Sequence, residues 1–161
     1  MLNLPKNKIK LIASDFDGVL TDGGLYVTSE GGSFKKISYK DIMGVSSWLK
    51  SGGKFAIISG DTSVMIDVFA TKLKIEDVFQ GVHFFEKREK LEGLINKYNL
   101  SPDEVCYVGD DINDIEPLKL AGFGVCPFDA NYKVKEIDDI IISNTKGGEG
   151  LIREIIDSIL D

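Results

Sequence analysis

Asp15 and Asp17 stand two residues apart in DFDGVLTDGG, directly after the apolar run KLIAS. A strand sends alternate side chains to one face, so both carboxylates project the same way at a strand end. Like charges so close repel, and a carboxylate beside a core is costly without a partner. The pair makes sense if a cation joins it, or if the two groups work in different protonation states. Two further clusters offer the same chemistry. Ser59-Gly60-Asp61 follows KFAII, and GDDIND, with Asp110, Asp111 and Asp114, follows VCYV. Hard oxygen ligands without thiolate or imidazole suit magnesium, which favours an octahedral oxygen shell completed by a substrate phosphate. His83 is the only histidine, so a histidine-built metal centre is excluded. Cys106 and Cys126 lie inside the apolar runs VCYV and GVCP and read as small buried hydrophobes, with no zinc or disulfide spacing.

The elements that must position these groups are legible as an alternation. KLIAS, KFAIIS, VCYVG, FGVCP and DIIIS are short and almost wholly apolar, as strands covered on both faces are. Between them the spacing predicts helices over 43–50, 63–74, 87–98, 114–121 and 150–160. The last carries one broad stripe of Leu151, Ile152, Ile155, Ile156, Ile159 and Leu160. This alternation predicts an α/β, Rossmann-like, mostly parallel sheet with helices on both faces. In such sheets ligands bind beyond the carboxyl ends of the strands, where all three clusters would meet. The exception is LYVTSEGGSFKKIS, residues 25–38, whose Gly31-Gly32 turn between extended stretches predicts a β-hairpin inserted after the first strand, over about 23–38. Alone, a DxD or GDDxxD is equally a turn or a helix cap, with Asp111 or Asn113 as the capping residue. Asp129 in FDAN reads as turn chemistry. The ordered recurrence of such clusters at strand ends is what points to a site.

The bulk composition agrees. The 161 residues are 43% hydrophobic and 28% charged, those of one ordinary globular domain spanning 1–161. A net charge of −7 argues against nucleic acid and anionic membrane as partners. It leaves room for an anionic small molecule, since a divalent cation can reverse the sign of a pocket. MLNLPKNKIK lacks the apolar stretch of a signal peptide and no run is long enough to span a membrane, so a cytoplasmic enzyme is expected.

DFDGVLTDG, then ISGD, then a lysine in FEKREKL, then GDDIND, resembles the four-motif order of the haloacid dehalogenase superfamily of phosphohydrolases. The resemblance runs nearly the whole chain. It is closest to the small capless branch acting on sugar acid phosphates, through the DGVLTDG opening with its hairpin, ISYKDIMG, the QG of Phe79-Gln80-Gly81, and the tail GGEGLIRE. It implies that Asp15 is the nucleophile and Asp17 the general acid and base, with Ser59 on the phosphoryl oxygens. It implies a lysine at Lys87 or Lys90, with the spacing to Gly109 favouring Lys87. Magnesium would be held by Asp15, the backbone carbonyl of Asp17, and Asp110, with Asp111 and Asp114 supporting. Gly60, Asp61, Lys72 and Asp41 would contact substrate.

The implied activity is hydrolysis of a phosphorylated 2-keto-3-deoxy sugar acid through an aspartyl-phosphate. The octulosonate pattern places arginines where this chain has Asp61 and Phe69. Asp61 with Lys72 in ATKLKIEDVFQG instead resembles the nonulosonate 9-phosphate pattern, so both substrates are expected candidates. The other function class is a non-catalytic regulatory module associated with a sugar-activating cytidylyltransferase, against which the full set of motif residues speaks. A mutase would need a larger cap than the hairpin. The resemblance also implies a homotetramer. Apolar Leu25, Val27, Phe34 and Ile37 would be exposed on the hairpin to meet neighbouring subunits, and the tail 146–153 is a second segment expected to reach a neighbour's pocket.

Overall fold

The computed structural model describes residues 2–160. Six strands form one sheet: β1 (Leu11–Ser14), β4 (Lys54–Ile58), β5 (Asp77–Phe79), β6 (Val105–Val108), β7 (Phe123–Cys126) and β8 (Ile141–Ile142). Their spatial order is β5-β4-β1-β6-β7-β8, and every pairing is parallel. Strand β1 is central, which is why its run LIAS is wholly buried. Alternation along it divides the core. Ile12 joins Phe55, Ile57, Cys106 and Val108 on one face, while Leu11 and Ala13 join Ala56, Ile58, Val105 and Tyr107 on the other.

Helices α1 (Tyr39–Lys50), α2 (Val64–Leu73) and α6 (Leu151–Leu160) cover the first face. Helices α3 (Lys87–Lys97), α4 (Ile115–Leu120) and α5 (Tyr132–Lys135) cover the second. The expected stripe of α6 is buried at Leu151, Ile152, Ile155, Ile156 and Ile159. Ser38 and Ser63 cap α1 and α2 by accepting from the N–H groups of Lys40 and Met65. Among the strands and α-helices, two lie outside the sequence expectations, the three-residue β5 and the four-residue α5. Both are too short to show a period.

The expected hairpin is present. Strands β2 (Tyr26–Val27) and β3 (Ser33–Phe34) pair antiparallel and turn through Gly31, whose φ is +84°. Leu25, Val27 and Phe34 are 62%, 67% and 53% exposed. Ile37 differs from the expectation: it pairs with Thr21 at the root of the hairpin and packs half-buried against the core. Gly147, Gly148 and Gly150 are buried on their own subunit, and the Gly148 N–H donates to the carbonyl of Val19 in the loop after β1 (2.9 Å).

Candidate active site

The carboxyl ends of β1, β4 and β6 open onto one cleft lined by Asp15, Asp17, Gly18, Ser59, Gly60, Asp61, Asp110, Asp111 and Asn113. Its volume is about 330 Å³, enough for a phosphoryl group and part of its alcohol, and among the described residues no cap closes it.

Asp15 sits at its floor, 5% exposed, and its N–H donates to the carbonyl of Val108 across the sheet (2.9 Å). Its Oδ1 accepts from the N–H of Phe16 (2.6 Å) and its Oδ2 from Lys87 Nζ (2.6 Å). Lys87 is fully buried in the first turn of α3 and also donates to Asp114 Oδ1 (2.8 Å). Lys90, one turn on, lies instead over the Phe79 ring. Of the two candidate lysines, Lys87 is the one that reaches the cleft.

Asp114 is the frame of this floor. Its Oδ1 also accepts from the Tyr107 hydroxyl (2.8 Å), and its Oδ2 accepts from the N–H groups of Asp110 (3.1 Å) and Asp111 (3.3 Å). Asp111 Oδ1 accepts from the N–H of Ile112 and the amide of Asn131, both at 2.8 Å. Carboxylate oxygens of Asp15, Asp110 and Asp114 lie within 4.8 Å of one another. Burial, then the neighbouring Asp114 charge, pushes Asp15 up to about 7. The same two causes, with Asp15 next, push Asp110 up to about 8. Burial alone would lower Lys87, but Asp114 and Asp15 more than reverse it and hold the ammonium above its usual range. One ammonium among three carboxylates leaves negative charge in excess, and carboxylates pushed this high fit a hard divalent cation. Gly18, at φ +77°, makes room for this set, because a Cβ there would overlap the Asp110 carboxylate.

Asp17 faces the cleft mouth. Its Oδ1 accepts from the Thr21 hydroxyl (3.2 Å) and its Oδ2 from Lys35 Nζ (2.7 Å). The Thr21 oxygen in turn accepts from the N–H groups of Gly18 and Gly23, which directs its proton to Asp17. Ser59 is buried, and its Oγ accepts from the N–H of Asp61 (3.2 Å). Asp61 is exposed and pairs with Lys35 (2.7 Å).

Two sequence-predicted residues are not brought to the cleft within this subunit. Asp41 is buried under the N-terminus of α6, where its carboxylate accepts from the N–H groups of Gly150 (3.2 Å) and Arg153 (2.9 Å). Lys72 is exposed near the end of α2, beside Ser46, Leu49 and Lys50 of α1. Phe69, at the position of the absent arginine, is a core residue packed edge-on against Phe16.

Lys35 and Asn113 are site residues that the sequence reading did not assign. Asn113 Oδ1 is the buried side-chain polar atom left without a partner among the described residues, and it borders the cleft. A buried orphan acceptor beside a cleft is a place for a ligand hydroxyl or water to donate. Its only signal in sequence was its place in GDDIND. Lys35 had none, since FKKIS offers two adjacent lysines and no rule to separate them.

Residues 83–155 match the family described as haloacid dehalogenase-like hydrolase. The 3-deoxy-D-manno-octulosonate 8-phosphate phosphatase of Salmonella typhi is 31% identical over 152 residues, covering 94% of this chain and 79% of its own length. The same enzyme from Moraxella catarrhalis, solved with a magnesium ion, a phosphate ion and a KDO molecule, superposes with a TM-score of 0.85 at 34% identity, over 93% of this chain and 84% of that one. The cobalt-bound enzyme from Haemophilus influenzae gives 0.85 at 29% identity, over 93% and 86%.

Proposed function

The chain belongs to the haloacid dehalogenase-like hydrolases, and from that membership and the geometry of the cleft we propose a magnesium-dependent phosphatase of phosphorylated 2-keto-3-deoxy sugar acids. The observation that carries this reading is the buried Lys87 ammonium between Asp15 and Asp114, beside Asp110, at the floor of an open cleft. Octulosonate 8-phosphate is the first substrate, because the relatives named for it match along almost the whole chain. Nonulosonate 9-phosphate stays beside it on the strength of Asp61, which lines the cleft; Lys72 gives no support from within the subunit.

Asp15 attacks phosphorus through a carboxylate oxygen, forming the acyl phosphate as the ester P–O bond breaks. Asp17 gives its proton to the departing alkoxide, then takes one from the water that hydrolyses the acyl phosphate. Ser59 donates to a phosphoryl oxygen, and Lys87 keeps Asp15 oriented while offsetting its charge. Asp15, the carbonyl of Asp17, and Asp110 would hold the magnesium, which when bound neutralises charge on the carboxylates and the phosphate. Asp111 and Asp114 support this set through the contacts above. Asp41 acts by holding the tail rather than by touching substrate. Residues 1–161 form a single domain that works as a homotetramer in the cytoplasm; among the described residues no helix is long and apolar enough to cross a membrane.

The test is hydrolysis of octulosonate 8-phosphate with and without magnesium, in wild type and Asp15→Asn. The substitution is nearly isosteric and should leave a folded protein whose kcat falls by about 10⁴-fold or more. Undiminished turnover by folded Asp15→Asn protein would remove Asp15 as nucleophile, and absence of magnesium-dependent turnover in wild type would favour the regulatory module.

A further inference from the structure

We propose that Lys35 is a positioning residue of the reaction: it reaches from the hairpin and fixes the Asp17 carboxylate that serves the leaving group. The inference rests on the role given to Asp17 above. Its ground is the arrangement of three side chains from separate parts of the chain. Lys35 follows β3 directly, yet its side chain is only 9% exposed, although both neighbours, Phe34 and Lys36, are exposed. The ammonium is held at 2.7 Å from Asp17 Oδ2 and 2.7 Å from Asp61 Oδ2. A long, flexible side chain loses rotamer freedom when fixed, so a single exposed pair would seldom hold it; two carboxylates can.

The far side of each carboxylate is fixed as well. Asp17 Oδ1 takes the Thr21 hydroxyl, and Asp61 Oδ1 takes the N–H of Thr62 (2.8 Å). Asp17 therefore sits between a hydroxyl anchored to the loop after β1 and an ammonium anchored to the hairpin. With one side removed, the carboxylate keeps only a 3.2 Å hydrogen bond to Thr21, and its χ angles are free to swing from the leaving oxygen. Asp61 has a part in the same clamp. It stands immediately after the Ser59-Gly60 turn, so it ties the hairpin lysine to the end of β4.

A group that orients a general acid matters in proportion to the leaving group's need for a proton. An alkoxide leaving from a sugar phosphate needs one, whereas 4-nitrophenolate leaves without it. Lys35→Met is therefore expected to lower kcat on octulosonate 8-phosphate by roughly tenfold, a fraction of the 10²–10⁴ of general acid catalysis, with KM little changed. On 4-nitrophenyl phosphate the loss should stay below about twofold. Lys35→Arg should restore most of the sugar phosphate rate, and Asp61→Asn should show the same leaving-group dependence more weakly. Equal losses on both substrates, or a higher KM with kcat retained, would overturn the proposal in favour of a packing or substrate-binding lysine. Asp17→Asn separates the two readings. If it too fails to discriminate between the substrates, the role of Asp17 is at fault; if it discriminates and Lys35→Met does not, only the Lys35 inference falls.

Discussion

Asp15 and Asp110 share the cleft floor with Asp114, and the protonation of the first two decides how the site meets a cation. Burial and the Asp114 charge raise Asp15 from 3.8 to about 7 and Asp110 from 3.8 to about 8. A carboxyl raised in the folded state binds its proton more tightly there than in the unfolded chain. Its stabilising contribution is therefore full below the unfolded value and is lost as pH rises through the folded one. Without metal, the protein should lose stability between about pH 4 and pH 8 on account of these two groups. A divalent cation needs the ionised forms, so its binding releases protons and strengthens over the same window. The rise in Tm on adding magnesium is expected to be several degrees larger at about pH 8 than at about pH 6, measured against EDTA controls. A magnesium effect independent of pH would count against Asp15 and Asp110 as its ligands. At this scale the sequence was legible where a strand end dictates direction, as for Asp15, Asp17, Ser59 and Asp110. It was silent on Lys35, because a hairpin's return point is a tertiary fact. It misplaced Asp41, whose carboxylate serves a helix that follows it by more than a hundred residues.

Elements carry the second level of control, through how closely they approach. Helices α1 and α6 cross at Gly44, where a Cβ would stand 2.9 Å from the Cα of Arg153. Backbone cannot yield as a side chain tip does, so Gly44→Ala should push α6 outward and destabilise by about 1–3 kcal/mol. The glycine strap tied to α6 by Asp41 would move with it. Gly93 in α3 gives the opposite case: a Cβ there meets nothing within 4 Å, and the residue lies inside a helix. Gly93→Ala should stabilise by up to about 1 kcal/mol through helix propensity alone. Urea unfolding midpoints of the two variants, compared with wild type, check both signs. A glycine's spacing in sequence could not have separated them. The long elements were legible because apolar residues in the central strands and α6 are buried by the same sheet that their pattern implies. Strand β5 and helix α5 were not, since three or four residues carry no period; β5 is defined by its pairing with β4 and α5 by its Asn131 cap.

The hairpin raises a question only the whole molecule answers. Its two strands have two residues each, and an isolated hairpin of that size is marginal in water. Tyr26 and Phe34 stack with ring centroids 5.1 Å apart, yet both rings stay largely open to solvent, with Leu25 and Val27 beside them. The root is held by the Thr21–Ile37 bridge, and the lysine next to the tip strand is drawn into the cleft. The subunit thus fixes where the hairpin points without covering its apolar side. A patch of this kind on a small acidic protein calls for a partner surface, and a second copy offers an identical one. The cleft below it is open, so neighbouring hairpins would also narrow the approach to Asp17 and Asp61. Light scattering is expected to return about four times the 17.7 kDa chain mass. Phe34→Glu, which places a charge in the middle of the patch while leaving Lys35 and the hairpin root intact, should shift the mass toward the dimer or monomer. It should also lower turnover of the sugar phosphate more than that of a small aryl phosphate, because only the larger substrate extends up to the hairpins. A monomeric wild type, or a tetramer indifferent to Phe34→Glu, would place the interface elsewhere on the molecule.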